Sequence, residues 1–233
     1  MKYDEIFVKA PFSPVDLVCE NNEAEFKLWG RSYKMDNHSP LFASVISQDE
    51  EILASPIRIV MEENGAPSNW CDTKIIPLDE EDPSSKTLLA TTASDAFYIN
   101  TSTTVEFDGF TKVQLKVMPR GLSVKEIFLA RENKREVKFE LDKLWVEIPV
   151  KKSSAIFYQV YPRCAVKNSK GETVKENSPL STGDSVHKGT ACFPFCAQFF
   201  VSGEKSGIGI VSENAKNWQS VSKDRVIECV DEG

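Results

Sequence analysis

Histidine is almost absent from this chain: His38 and His187 are the only two in 233 residues. Each sits in a polar stretch without a second histidine or clustered carboxylates at ligand spacing, so no metal site, cofactor or histidine nucleophile–base system is expected. Also missing is any apolar run long enough to span a bilayer, which argues against a membrane partner. Basic clusters are lacking too. Acidic residues outnumber Lys and Arg by 35 to 28, for a net charge of -7, so a nucleic-acid backbone would meet net repulsion. The opening "MKYDEIFVKAPFSP" carries Asp4 and Glu5 where a secretory signal needs an uninterrupted apolar core, and the expected location is cytoplasmic. The six cysteines, Cys19, Cys71, Cys164, Cys192, Cys196 and Cys229, lack paired zinc-finger spacing and read as free buried thiols.

What the chain does have is strand periodicity. In "TKVQLKV", 111–117, Val113, Leu115 and Val117 share one face while Lys112, Gln114 and Lys116 share the other. Asp108-Gly109 lies between this run and "VEF", a hairpin signal because mirror-image turns need positive φ. From Val137 to Pro149 a second alternation runs Val137, Phe139, Leu141, slips at Asp142-Lys143 as at a β-bulge, and resumes with Leu144, Val146 and Ile148 on the core face. Further strands are predicted at 25–34, 41–47, 56–62, 96–107, 154–167, 191–201 and 206–212, and a hairpin over 122–135 turning at Asn133-Lys134. Loops at 63–69, 78–86 and 167–189 are polar. The pattern predicts an all-β single domain over 1–233: two packed, mainly antiparallel sheets, a β-sandwich of supersandwich-like type, with few short helices.

Several stretches could carry chemistry. "SGIGIVSENAKNW", 206–218, opens on a Gly-x-Gly, but no Lys-Ser/Thr and no amphipathic helix follow, so a phosphate loop is excluded. The alternative is a hairpin turn ending at Gly207, with Gly209 allowing close packing on a strand. The acids of "LDEEDP", 78–83, read as a solvated loop rather than as the paired carboxylates of glycosidic hydrolysis. Cys192 and Cys196, flanked by Phe193, Phe195, Phe199 and Phe200, read as apolar core. Trp145 alternates with Leu144 and Val146 and so falls on the polar face with Lys143 and Glu147. A ligand, a neighbouring domain or a partner would cover it, and an exposed indole is one route to stacking on a sugar.

Taken in order, these segments resemble the N-terminal β-sandwich domain of glycoside hydrolase family 123 and of related uncharacterised glycoside-hydrolase-like proteins. "FKLWGRSYKMDNHSPLFASVISQDEEILASPIRIV" resembles that domain's opening Trp-Gly-Arg strand, here with Trp29 and Arg31, and the following strand into Gln48 to Pro56. "VEFDGFTKVQLKVMP" is similar to its Asp-Gly hairpin, and "LWVEIPVKKSSAIFY" to its Leu-x-x-Glu-Ile-Pro strand. The last match is a glycine-led strand running into Glu213, Asn214, Asn217 and Trp218. The chain departs from the pattern at "FFVSGEKSG", which lacks the tryptophan and aspartate of the family's turn. The resemblance implies a non-catalytic sandwich supporting a following (β/α)8 barrel, which would carry the catalytic Asp-Glu pair of a β-N-acetylgalactosaminidase-like parent protein. Possible ligands are carbohydrates. Ligand or domain-interface candidates are Glu213, Asn217, Trp218, Trp145, Trp29 and Arg31, with no catalytic residue in this chain. The alternatives are a stand-alone carbohydrate-binding module and a protein-interaction domain that has lost its glycosidase. A final alternating run at Val226, Glu228 and Val230 predicts an unpaired sheet edge.

Overall fold

The computed structural model describes residues 8–63, 65–78, 81–121, 142–161, 166–167, 173–174 and 198–213. Contacts group the chain into two compact units, Met1–Pro149 and Val150–Gly233, where the sequence suggests one domain. Among the described residues the regular structure is all-β and antiparallel, apart from a single 3-10 turn at Lys152–Ser154. The segments predicted at 122–135, 137–141 and 226–230, together with Cys164, Cys192, Cys196, Cys229 and His187, lie outside the described residues.

In the first unit, β1 (Asp16–Glu20), β2 (Glu23–Leu28), β3 (Arg31–Met35), β4 (Ser44–Ser47) and β5 (Glu50–Glu51) form a five-stranded meander in chain order. Two-residue turns set its register. Asn21 and Asn22 have φ of 51° and 63°, and Gln48 and Asp49 have 52° and 64°, the positive values that match a turn to the twist of its hairpin. The segment 25–34, expected as one strand, is instead two strands folded back at Trp29-Gly30. Gly30, at φ 67°, provides the left-handed conformation of the turn. Glu51 closes the far end: its carboxylate accepts from the Val45 amide at 3.0 Å, from the Leu53 amide at 2.9 Å and from the Ser44 hydroxyl. That fixes the entry of Ile52 and Leu53 into the core.

A four-stranded sheet follows the order β11 (Thr111–Pro119), β10 (Phe97–Glu106), β9 (Ser85–Ala93), β8 (Lys74–Pro77). In β10 the residues Phe97, Ile99, Thr101, Thr103 and Val105 are all buried, while those between them are half-buried or exposed. The β11 alternation is present, yet Val113 and Leu115 are 41% and 37% exposed. They stand opposite the buried Thr103 and Thr101, but among the described residues β11 ends the sheet and pairs with β10 alone. Three side-chain bonds link this sheet to the meander: Thr101 Oγ1 donates to the Pro40 carbonyl at 2.9 Å, Tyr33 Oη donates to the Gly109 carbonyl at 3.2 Å, and Asn22 Oδ1 accepts from the Ile75 amide at 2.8 Å.

A smaller sheet orders β12 (Lys143–Glu147), β6 (Arg58–Glu63) and β7 (Ala66–Pro67). Asp142, placed in a bulge by the sequence, caps the neighbouring hairpin by accepting from the Gly65 amide at 2.8 Å. In the second unit β13 (Phe157–Tyr161), β16 (Gln198–Ser202) and β17 (Gly207–Val211) form one sheet, and β14 (Val166–Lys167) pairs with β15 (Thr173–Val174).

Gly109 is where turn chemistry and packing coincide. Its φ is 90°, and a Cβ there would stand 2.8 Å from Tyr33 Oη and 3.0 Å from Arg31 Cδ. Gly109→Ala is therefore expected to destabilise the first unit by about 1–3 kcal/mol. Urea unfolding checks this; an unchanged midpoint would contradict the described packing of the Asp108-Gly109 turn on β3.

Candidate functional site

The outer face of β6 and β12 is built by register. Directly opposed residues of an antiparallel pair share a face, so the pairs Arg58–Glu147, Val60–Trp145 and Glu62–Lys143 line up on one side. The buried Ile59 and Met61, opposite Val146 and Leu144, occupy the other side. Trp145 thus lies on the polar face with Lys143 and Glu147. Leu144, assigned to the core, is 38% exposed although it stands opposite a fully buried Met61. As with Val113, it sits on a strand that pairs with a single neighbour among the described residues.

The polar face is cross-linked. Arg58 Nη2 lies 2.6 Å from Glu147 Oε2, the other Glu147 oxygen accepts from the Trp145 indole N–H at 3.0 Å, and Lys143 Nζ meets Glu62 at 3.1 Å. One carboxylate therefore holds both a guanidinium on the adjacent strand and an indole on its own. Beside it a cleft of about 190 Å³ is lined by His38, Ser39, Pro40, Arg58, Ile59, Val60, Ser68, Trp70 and Thr92. Its walls are held from behind: Trp70 Nε1 donates to the Ile59 carbonyl at 3.0 Å, Ser39 Oγ to the Ile57 carbonyl at 2.8 Å, and Thr92 Oγ1 to the Cys71 carbonyl at 2.7 Å.

A second cluster forms where the Trp29-Gly30 turn meets the Asp108-Gly109 turn. The ring of Phe12 makes edge contacts with Trp29 and Phe107 at centroid distances of 5.6 and 5.3 Å. Trp29 stays 44% exposed. Arg31 is half-buried with an unbonded, water-shielded Nη1. Burial raises the Tyr33 hydroxyl above its ordinary pKa, an effect that the Arg31 charge opposes.

Of the candidates read from the sequence, Trp29 and Arg31 flank Gly30 in the β2–β3 hairpin, and Trp145 lies on a different sheet. Glu213 is exposed beyond β17 in the second unit, and Asn217 and Trp218 lie outside the described residues. In the Gly-x-Gly strand, Gly209 faces Phe200, and a Cβ on it would stand 2.5 Å from that ring, so the glycine serves close packing. Cys19 is half-buried, with burial raising its thiol pKa, whereas Cys71 is exposed, contrary to the reading of all six as buried. The cleft residues His38, Arg58 and Trp70 carry no shared sequence signal, since Arg58 and Glu147 are 89 positions apart.

The fold and these surfaces define an all-β antiparallel domain. The family model described as glycoside hydrolase 123, third domain, matches residues 25–140, which supports a glycoside hydrolase 123-related domain over that stretch. The matched residues include Trp29, Arg31 and the whole cleft lining, but not Trp145 or Glu147. The matched domain is described as the third, and the expected N-terminal placement rests on resemblance alone. No curated protein matches the chain.

Among the described residues two carboxylates depart from ordinary acidity, both downward. Ser32 Oγ donates to Glu25 at 2.6 Å and leads the lowering there, with Lys34 and Lys27 adding to it. Asp82, in the acidic loop, is lowered first by the Ser84 hydroxyl at 2.7 Å and then by the Ser84 amide at 2.8 Å, so it caps the entry to β9. A carboxylate with a folded pKa below its unfolded value contributes stability that is present at neutral pH and lost as pH falls through the folded pKa. The stability difference between the chain and Asp82→Asn is expected to be largest near pH 7 and to shrink below about pH 4, the ordinary range of aspartate. Chemical denaturation across pH checks this, and a difference that grows in acid would contradict the capping role.

Proposed function

We propose that this chain is a non-catalytic β-sandwich domain of a glycoside-hydrolase-related protein, supporting an active site carried by a following (β/α)8 barrel. The observation that carries the reading is the match of residues 25–140 to a glycoside hydrolase 123 domain that is one of several in its parent. The sandwich takes the five-stranded meander and the four-stranded sheet as its two layers, and the Thr101–Pro40, Tyr33–Gly109 and Asn22–Ile75 bonds support that pairing.

The carboxylates give the reading its chemistry. Glycoside hydrolysis requires a carboxylic acid that stays protonated long enough to donate to the leaving oxygen, so its pKa is raised by an apolar surrounding or a like charge. Glu25 and Asp82 are shifted the opposite way and are committed to a strand pair and a turn. Glu51 and Glu147 are each engaged in hydrogen bonds that hold the fold or the face of β6 and β12. With a net charge of -7, the partners in this reading are carbohydrate and a catalytic domain rather than nucleic acid.

The purified chain is expected to give no turnover of aryl N-acetylgalactosaminides or related aryl glycosides. Turnover abolished by substituting one particular carboxylate would overturn the non-catalytic reading.

A further inference from the structure

The cleft beside β6 has a hydrogen-bonding inventory that selects among ligands. Of its polar lining groups, the Trp70 indole N–H, the Ser39 hydroxyl and the Thr92 hydroxyl each donate to a main-chain carbonyl. The His38 imidazole makes no hydrogen bond among the described residues; only the backbone amide of His38 is bonded, to Asp36. Arg58 gives Nη2 to Glu147 and keeps its remaining guanidinium N–H groups. Two residues with unspent groups therefore line one cleft: His38, whose neutral imidazole can both donate and accept, and Arg58, with a fork of donors.

Charge and shape narrow the choice further. Arg58 is the one Lys or Arg of the lining, and Glu147 at 2.6 Å balances its charge, so an anionic ligand would have to compete with a carboxylate already seated. Apart from Ser68, whose bonding is already engaged, the rest of the lining is the apolar Pro40, Ile59, Val60 and Trp70, and Trp145 continues that surface opposite Val60. At about 190 Å³ the cleft falls below the usual range of roughly 300–1,000 Å³ for sites that take whole small molecules. That is room for one ring. A ligand with apolar C–H faces, hydroxyls at its edge and no charge fits all three conditions.

We propose that this cleft is a binding subsite for a single neutral pyranose unit, with Trp70 as the apolar wall and His38 and Arg58 bonding its hydroxyls. The Glu147 carboxylate is a positioning residue, holding the guanidinium and the Trp145 indole without touching the sugar. The subsite needs no following barrel, so its failure and the failure of the non-catalytic reading are separable: one is read by binding, the other by turnover.

The test is a titration of the isotope-labelled full chain with methyl pyranosides of glucose, galactose and N-acetylhexosamines, following the indole N–H signals and the His38 ring by NMR. At least one neutral pyranoside is expected to shift the Trp70 signal saturably. His38→Ala and Arg58→Met should each weaken that binding by about tenfold or more, the scale of one lost hydrogen bond to a charged or aromatic donor. Lys34→Ala, on the meander, should leave it unchanged. Thermal melts of the variants establish that they are folded, and the unsubstituted chain supplies an answer whatever the variants do. The proposal is overturned if no pyranoside moves the Trp70 signal, if binding is indifferent to both substitutions, or if phosphate, glucuronate or a nucleoside binds more tightly than every neutral pyranoside.

Discussion

Every second side chain of β10 is withdrawn from water, and the rest of the first unit is arranged to make that possible. Phe97, Ile99 and Val105 contribute the apolar burial, whereas Thr101 and Thr103 bring hydroxyls into the same dry row. The Thr101 hydroxyl is bonded to the Pro40 carbonyl, which fixes the loop leading into β4 against the middle of β10. Thr103 Oγ1 has no partner, a local cost that the neighbouring Leu88 and Val105 offset through burial. Pairing on both edges, with β9 and β11, leaves β10 no freedom of register: a slip of one residue would turn its buried row outward.

The cleft inherits its shape from that arrangement. Pro40, anchored by Thr101, and Thr92, on the strand next to β10, form two of its walls, and β6 forms a third. Arg58, Ile59, Val60 and Thr92 stand on strands, while the loop residues Ser39, Pro40 and Trp70 are tied to the frame through hydrogen bonds that use main-chain carbonyls, the kind of support that keeps a small binding surface in one geometry. The Arg58–Glu147 pair is exposed, with the Arg58 side chain 62% accessible, so it contributes little to stability. Its effect is orientation, because a single carboxylate sets the direction of both a guanidinium and an indole.

Much of the fold was legible where local chemistry and alternation agreed. The Asp108-Gly109 hairpin could be read because the turn demands positive φ and the flanking runs alternate in phase. Family kinship was legible from the order of short segments, none of which is decisive alone. The Trp29-Gly30 reversal is marked only by Gly30 and by the phase change between Leu28 and Tyr33, five positions apart, which places Tyr33 opposite Phe26 across the turn. Exposure on β11 and β12 was missed because periodicity reports which face a residue occupies, and not how many strands cover it. The cleft was the least legible feature: His38, Arg58, Trp70 and Thr92 come from four separated segments and share no spacing that a sequence displays.

Residue-resolved hydrogen exchange tests the dependence on β10 most directly, since amides that open only with the whole unit exchange last. The account predicts that amides of Ile99, Thr101 and Thr103 are among the slowest of the first unit, and that amides in β5 and β7 exchange well before them. Exchange of the β10 amides as fast as those of β5 or β7 would contradict a first unit organised round that strand.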